Sequence, residues 1–485
     1  MSTLQDLNQV LSRKQAILES AGVEKQKQSG KLTARERVSL LLDGGSFVEQ
    51  SMLFADAGVV TGCGTVDGRP VYVIAQDFAV MDGAVGEKQA KKIVKVLELA
   101  RKTGTPVVTL CDSNGARVGE GAAALEAYAD IFAHMARLSG VVPMIAVVAG
   151  PCVGAAAMTA QLSDIVLVAK PAGALLVAGP QVLASTMGKD LKAEDLGGGK
   201  TAVEYGAAHF ACETEEEAIA TVKTLLGMLP ANNLEDAPFA PEEDMNRLVE
   251  GLAAGADGRE VITALADTGS VVELGKGFTG AVTALGRMAG RTVAFVYTGK
   301  GDTCDKRMSK ITRFVRFADC YNIPVVSLVD STGFELFDSI DRQMSVMKAA
   351  SALVYAYSEA TTVKVTLVIG SAVGAMYVAM GGSANADATY AWPGAVISPM
   401  TGEAAIQVMW KDQIKASQGD AVKAREELAA KYEAEVADGV CAAAAGLVDD
   451  VIDPADSRKM VIAALELLSS KRDSNPPKKH GNMPL

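Results

Sequence analysis

One block of this chain occurs twice. Gly150-Pro151-Cys152-Val153-Gly154-Ala155 is matched by Gly370-Ser371-Ala372-Val373-Gly374-Ala375 at an offset of 220 residues (370 − 150). Upstream, Thr105 to Gly115 pairs with Ile323 to Gly333 at 218 (323 − 105), and Gly68-Arg69-Pro70-Val71 pairs with Gly290-Arg291-Thr292-Val293 at 222 (290 − 68). Three blocks in the same order at nearly constant spacing indicate a duplicated domain. The period is far longer than the roughly 20–50 residues of solenoid repeats, so two whole domains are expected rather than an array.

Each copy reads as alternating strands and helices. In the first, a β-rich entry (Val71 to Ile74) precedes a helix (Glu87 to Lys102), a strand (Val107 to Cys111), a helix (Ala122 to Arg137), a strand (Met144 to Ala149) and a helix beginning at Gly154. That order predicts an α/β fold with largely parallel pairing. The expected boundaries are 1–233, a linker at 234–258, and 259–485. Asn232 to Asp257 reads as exposed linker because it holds Pro238, Pro241, Gly251, Gly255 and seven acidic residues. Thr33-Ala34-Arg35-Glu36 is a capping box opening a structural helix to Leu42. Asp412 to Ala437 is expected to form an exposed amphipathic helix, and Asn475 to Gly481 a surface tail.

Composition removes several classes of function. Forty-six basic against fifty-eight acidic residues give a net charge of −12, without the excess that binding a nucleic-acid backbone requires. The seven cysteines are scattered, with no Cys-x-x-Cys pair, which suits a reducing cytoplasm better than a zinc site or a disulfide framework. Met1 to Asp6 shows no basic segment leading into an apolar one, so no secretory signal is expected. The uncharged stretches Leu138 to Ser163 and Val365 to Ala386 are long enough for membrane spans, but their internal glycines and prolines break a helix midway. A buried strand, a tight turn and a buried helix are expected in each.

The remaining chemistry is narrow. Only three histidines occur, His134, His209 and His480, none in ligand-like spacing, so Ser/His/Asp hydrolysis and histidine-metal catalysis lack support. Gly199-Lys200-Thr201 fails as a phosphate loop because Glu194 stands where glycine is required. No Gly-x-Gly-x-x-Gly leads a strand into a helix. What persists is the repeated junction at which Gly154-Ala155 and Gly374-Ala375 open a helix. Free first-turn amides and small side chains suit an oxyanion such as a thioester enolate. The same residues also suit close helix–strand packing.

At these positions the chain resembles the biotin-dependent acyl-CoA carboxyltransferases, the family of propionyl-CoA carboxylase β subunits and methylmalonyl-CoA decarboxylase α subunits. The likeness runs almost end to end, through Gly30 to Arg37, Ala75 to Phe78, Asp112 to Arg117, Gly150 to Cys152, Glu194 to Gly198, Arg313 to Phe317, Ala391 to Pro393 and Lys478 to Asn482. It implies tandem duplicated crotonase-like domains of the ClpP/crotonase superfamily, the first binding acyl-CoA and the second facing biotin. It further implies a homo-oligomer, a hexamer built from dimers.

By position, the resemblance makes Gly154 and Ala155 the amides for the acyl-CoA enolate, and Ala375 and Met376, after Gly374, those for the biotin ureido oxygen. Asp112, Ser113, Asn114, Gly115, Ala116 and Arg117 would line the pantetheine route, with Arg117 facing either a CoA phosphate or a surface ion-pair partner. No Ala-Met-Lys-Met motif occurs, so biotin is expected on a separate carrier protein. A biotin carboxylase or a membrane decarboxylase subunit would complete the system, the chain itself being cytoplasmic. Departures cluster in the second half: Val329 to Phe334 differs from the family's Val-Asp-Val-Pro-Gly-Phe, Met376 fills a usually small position, and Val378 stands where propionyl-selective relatives often carry aspartate. Two alternatives remain, a biotin-independent crotonase-type decarboxylase or isomerase, and a non-catalytic scaffold subunit.

Overall fold

The computed structural model describes residues 2–18, 26–28, 30–54, 58–189, 191–241, 243–253, 255–416 and 421–484. The chain divides into two compact units, Met1–Ala237 with Gly275–Phe278, and Pro238–Leu274 with Thr279–Leu485.

In the first unit the capping box opens α1 (Ala34–Leu41): Thr33 accepts from the Glu36 amide and the Glu36 side chain returns to the Thr33 amide. The sheet follows as β1 (Val48–Gln50), β2 (Val59–Val66), β3 (Arg69–Gln76), β4 (Val107–Ser113), β5 (Met144–Val153), β6 (Ile165–Ala169), β7 (Ala174–Leu176) and β8 (Phe210–Cys212). Its order is β1-β2-β3-β4-β5-β6-β8, with β7 beside β5. The β1/β2 and β2/β3 pairs are antiparallel; all others are parallel. β4 is buried along its whole length, Asp112 and Ser113 at its end included, as a central strand covered on both faces.

The crossover helices are α2 (Glu87–Thr103) and α3 (Ala122–Leu138), each one residue longer than the apolar periodicity predicts. α2 stops at Gly104, whose φ of 62° is costly for any residue with a Cβ. Ile93, Val96 and Leu97 of α2 pack with Ile131 and Met135 of α3 on Ile74 and Val107. Each such side chain, fully buried, contributes about 1.5–3 kcal/mol. β5 then passes through Gly154 into α4 (Ala155–Gln161), and α5 (Glu215–Met228) follows β8. Gly275–Phe278 is held to this unit where the Gly275 amide donates to His209 (2.9 Å) and Phe278 lies over Gly206.

The second unit repeats the plan. It runs α6 (Gly258–Leu265), β9 (Val272–Leu274), β10 (Val282–Met288), β11 (Arg291–Tyr297), α7 (Asp305–Cys320), β12 (Val325–Ser331), α8 (Ile340–Glu359), β13 (Lys364–Val373), α9 (Ala375–Met380), β14 (Ala388–Ala391), β15 (Val396–Ser398), β16 (Asp450–Val451) and α10 (Ser457–Leu467). The order β16-β14-β13-β12-β11-β10-β9, with β15 beside β13, mirrors the first sheet, and the first two strands again pair antiparallel. Trp392 is wholly buried in this core, its indole donating to Ser457 (2.8 Å). Both long uncharged stretches resolve into the expected strand, turn and helix. Among the described residues no helix is long and apolar enough to cross a membrane.

One expectation needs refinement and another correction. Asn232 to Asp257 has no helix or strand among its described residues and is mostly exposed, as expected of a linker, yet it is tied down at several points. Asn232 is buried and donates to Gly104 (3.0 Å), Arg247 donates to the carbonyls of Ala264 and Ala266, and Glu243 lies 3.6 Å from the fully buried Arg458. Asp412 to Ala437 is not one exposed helix. It comprises Lys411–Ala416, Ala421–Tyr432 and a π-turn at Glu433–Ala437, and it buries Ile414, Ala429 and Tyr432. Its residues 417–420 lie outside those described.

Candidate active site

The duplicated junction has one geometry in both units. Gly154 adopts φ 60°, ψ −121° and Gly374 φ 61°, ψ −129°, a region that side chains with a Cβ rarely enter. Each glycine turns a parallel strand sharply into a short helix.

The glycine amides are already engaged. Gly154 donates to the Leu176 carbonyl (2.8 Å) on β7, and Gly374 donates to the Ser398 carbonyl (2.9 Å) on β15. This corrects the role expected for Gly154, whose N–H is not available to an enolate. The following amides, Ala155 and Ala156 in one unit and Ala375 and Met376 in the other, have no acceptor among the described residues. The glycines thus serve as pivots, and the donor reading moves one residue onward in the first unit. Met376 is fully buried, main chain included.

The loop after β4 lies beside the first pivot. Gly115, at φ 95°, approaches the Val153 carbonyl so closely that a Cβ would sit 2.9 Å from it. Within this loop the expected ligand-lining residues separate. Asn114 is exposed, Ala116 half-buried, and Ser113 buried with its hydroxyl accepting from the Gly115 amide (3.1 Å). Asp112 is wholly buried and Arg117 nearly so, donating to the Ala84 carbonyl (3.0 Å) and lying 3.6 Å from Glu120. Asp112 is thus engaged internally, and Arg117 is found in the ion-pair alternative expected for it.

Behind the pivot sits a charge network that sequence reasoning did not identify. Asp112 accepts from Lys31 (2.7 Å) and Arg37 (2.9 Å), and Arg37 also pairs with Glu215 (2.5 Å) and donates to the Ala149 carbonyl (3.3 Å). Burial lowers the Lys31 pKa, opposed by Asp112. The available signal was Arg37 itself, a charge placed beside Val38 and Leu41 on the apolar face of α1.

A second set recurs in both units. Arg35 pairs with Glu49 (2.8 Å) and Arg259 with Glu273 (3.0 Å), while Lys92 donates to the Val59 carbonyl (2.6 Å) and Lys310 to that of Ala281 (2.9 Å). Burial pushes both lysines down to about 8. Arg35, Glu49, Asp77 and Lys92 border a cavity of about 220 Å³, and burial raises the Asp77 carboxyl. Aligning the halves would have found these pairs, since Lys310 follows Lys92 at the duplication offset of 218 (310 − 92).

His134 is tied to its own helix, bonding the Asp130 carbonyl (2.8 Å). Cys152 lies against Cys111, which together with burial holds its thiol well above the usual range.

Two mixed sheets, each delivering a parallel strand through a positive-φ glycine into a helix with open first amides, define a tandem crotonase-like α/β protein. The chain belongs to the carboxyl transferase domain family, whose sequence profile matches residues 25–483. It is 39% identical over 519 residues to the methylmalonyl-CoA carboxyltransferase 12S subunit of Propionibacterium freudenreichii subsp. shermanii, covering 100% of this chain and 98% of that one. The methylmalonyl-CoA decarboxylase subunit alpha of Veillonella parvula is 38% identical over 519 residues, with 100% of each chain covered. Among solved structures, a transcarboxylase 12S hexamer with methylmalonyl-coenzyme A and methylmalonic acid bound superposes with a TM-score of 0.92 at 38% identity, over 99% of this chain and 98% of that one.

Proposed function

We propose that this chain is the carboxyltransferase subunit of a biotin-dependent short-chain acyl-CoA carboxylase or decarboxylase. The observation that carries this reading is the pair of matched pivots, each followed by unspent main-chain donors, in a chain of this family.

In the first unit the Ala155 and Ala156 amides hold the thioester oxygen as negative charge develops on it. Preorganised donors of this kind are worth about 3–4 kcal/mol each to such a transition state. Asn114 and Ala116 border the approach to that turn. In the second unit the Ala375 and Met376 amides face the ureido oxygen of biotin. Biotin, on a separate carrier protein, supplies the transferable carboxyl group and a nitrogen able to take the acyl α-proton. No histidine or carboxylate of this chain is then required as the base. The transcarboxylase relative forms a hexamer, and the same assembly is proposed here.

The test incubates the purified chain with methylmalonyl-CoA or malonyl-CoA and free biotin. Loss of the CoA-linked carboxylate only when biotin is present is the expected result. Biotin-independent loss would favour a crotonase-type decarboxylase. No turnover and no calorimetric heat with either thioester would indicate a scaffold.

A further inference from the structure

The two pivots are alike in backbone but unlike in what stands behind them. Each is preceded by a glycine seated on a buried aspartate, Gly150 on Asp112 and Gly370 on Asp330; a Cβ at either glycine would run into the carboxylate. Asp112 is 0% exposed and meets two cations, Lys31 and Arg37, that are 8% and 1% exposed. Asp330 is 6% exposed, and its carboxylate accepts from the Ser371 amide (3.0 Å) with no cation within ion-pair distance among the described residues.

The first arrangement ties together the ends of β3, β4 and β5 beside the acyl-CoA turn. The Asp112 amide donates to Gln76 (2.9 Å) at the end of β3, and Lys31 stacks 4.0 Å from the centre of the Phe78 ring just beyond it. Arg37 holds the Ala149 carbonyl of β5 while gripping Asp112 of β4. Glu215 closes the far side of Arg37, balancing two cations against two carboxylates. Such a network, with its members hydrogen-bonded, fixes geometry more than it adds stability.

We propose that Lys31, Arg37 and Asp112 are positioning residues for carboxyl transfer, forming a clamp that sets the turn carrying the Ala155 amide in the acyl-CoA half-site alone. The Asp330 site keeps the amide ties, its own N–H donating to the Thr298 hydroxyl (2.9 Å) and its carboxylate accepting from Ser371 (3.0 Å), but lacks the two cations. This rests on the carboxyltransferase reading, since it assigns the clamp to one of that reaction's two substrates. A misplacement of about 1 Å at a reacting centre can cost about 100-fold in rate, so a clamp acting through Ala149 and Gly150 is within reach of the chemistry.

The experiment compares Lys31→Met and Lys31→Arg with the wild type in the methylmalonyl-CoA and free-biotin assay. Lys31→Met should raise KM for the thioester, or lower kcat, by about tenfold, with KM for biotin held within about twofold; Lys31→Arg should recover most of the loss. Equal changes in both KM values, or a lowered Tm with neither moved, would overturn the proposal. Should Lys31→Met not fold, amide hydrogen exchange on the wild-type protein decides. The Gly154 amide, bonded to Leu176, should exchange at least about tenfold more slowly than the Gly374 amide, bonded to Ser398, and equal rates would overturn the clamp. A wild type without biotin-dependent turnover removes the carboxyltransferase reading instead, and the exchange comparison still judges the clamp.

Discussion

Asp112 and Asp330 occupy the same place in two copies of one fold, yet one is locked between two cations and the other rests on an amide. Duplication preserved what the backbone does, the positive-φ pivot, the bonded glycine amide and the open donors beyond it. It did not preserve the side chains that brace it. The Arg–Glu pair and the buried lysine beside the second strand are retained in both copies, so the side chains around the sheets did not all diverge.

The strongest way to break the comparison is to remove one donor from each half. Ala155 and Ala375 are the first residues of their helices, where proline is tolerated because that N–H has no helical partner. Ala155→Pro and Ala375→Pro should therefore fold, while turnover falls about 100- to 1,000-fold in each. Steady-state kinetics with both substrates checks this, and a variant retaining full activity would show that its amide does not face the reaction.

A smaller effect separates the two aspartates. Gly150→Ala drives a Cβ into a carboxylate held by Lys31 and Arg37, whereas Gly370→Ala meets one held by the Ser371 amide and no cation among the described residues. Overpacking of this kind costs about 1–3 kcal/mol, and the first variant should lie at the upper end and the second at the lower. Denaturant unfolding measures the difference; equal losses would mean that Asp330 is as firmly held as Asp112.

The smallest effect tests what the halves share. Burial lowers Lys92 to about 8 from its ordinary 10.5, so between these values the unfolded chain binds a proton that the folded chain does not. Stability must rise with pH across that window, the penalty of the buried charge being fully present below about 8. From pH 8 to 9 the wild type should gain about 1 kcal/mol relative to Lys92→Met. Urea melts at the two pH values read this directly, and parallel curves would show that Lys92 is not depressed.

Much of the fold is legible in the sequence because its signals are local. The uncharged runs holding β5 and β13 announce parallel strands buried on both faces, and the spans of α2 and α3 are read from the sequence to within one residue. The matched blocks announce the duplication. The candidate site is legible only in part. Gly154 and Gly374 stand out, but that their amides are spent on Leu176 and Ser398 depends on β7 and β15, three-residue strands with no pattern of their own. The network of Asp112 with Lys31, Arg37 and Glu215 joins residues from 75 to 178 positions apart, and no window along the chain contains both ends of it. Asn232 to Asp257 is mostly exposed, as its composition suggests, but its anchoring is not legible for a related reason: Arg247 and Glu243 find partners distant in sequence.

Gly275–Phe278 belongs to the first unit although the chain has by then entered the second. A gene cut after codon 237 would therefore yield a leading fragment missing four of its own residues, with Gly206 uncovered and the His209 carbonyl lacking its donor. The trailing fragment would carry those four as a stray loop. Expressing the halves apart should give two poorly behaved polypeptides, and a permuted gene that returns the loop to the leading half would be the better starting point.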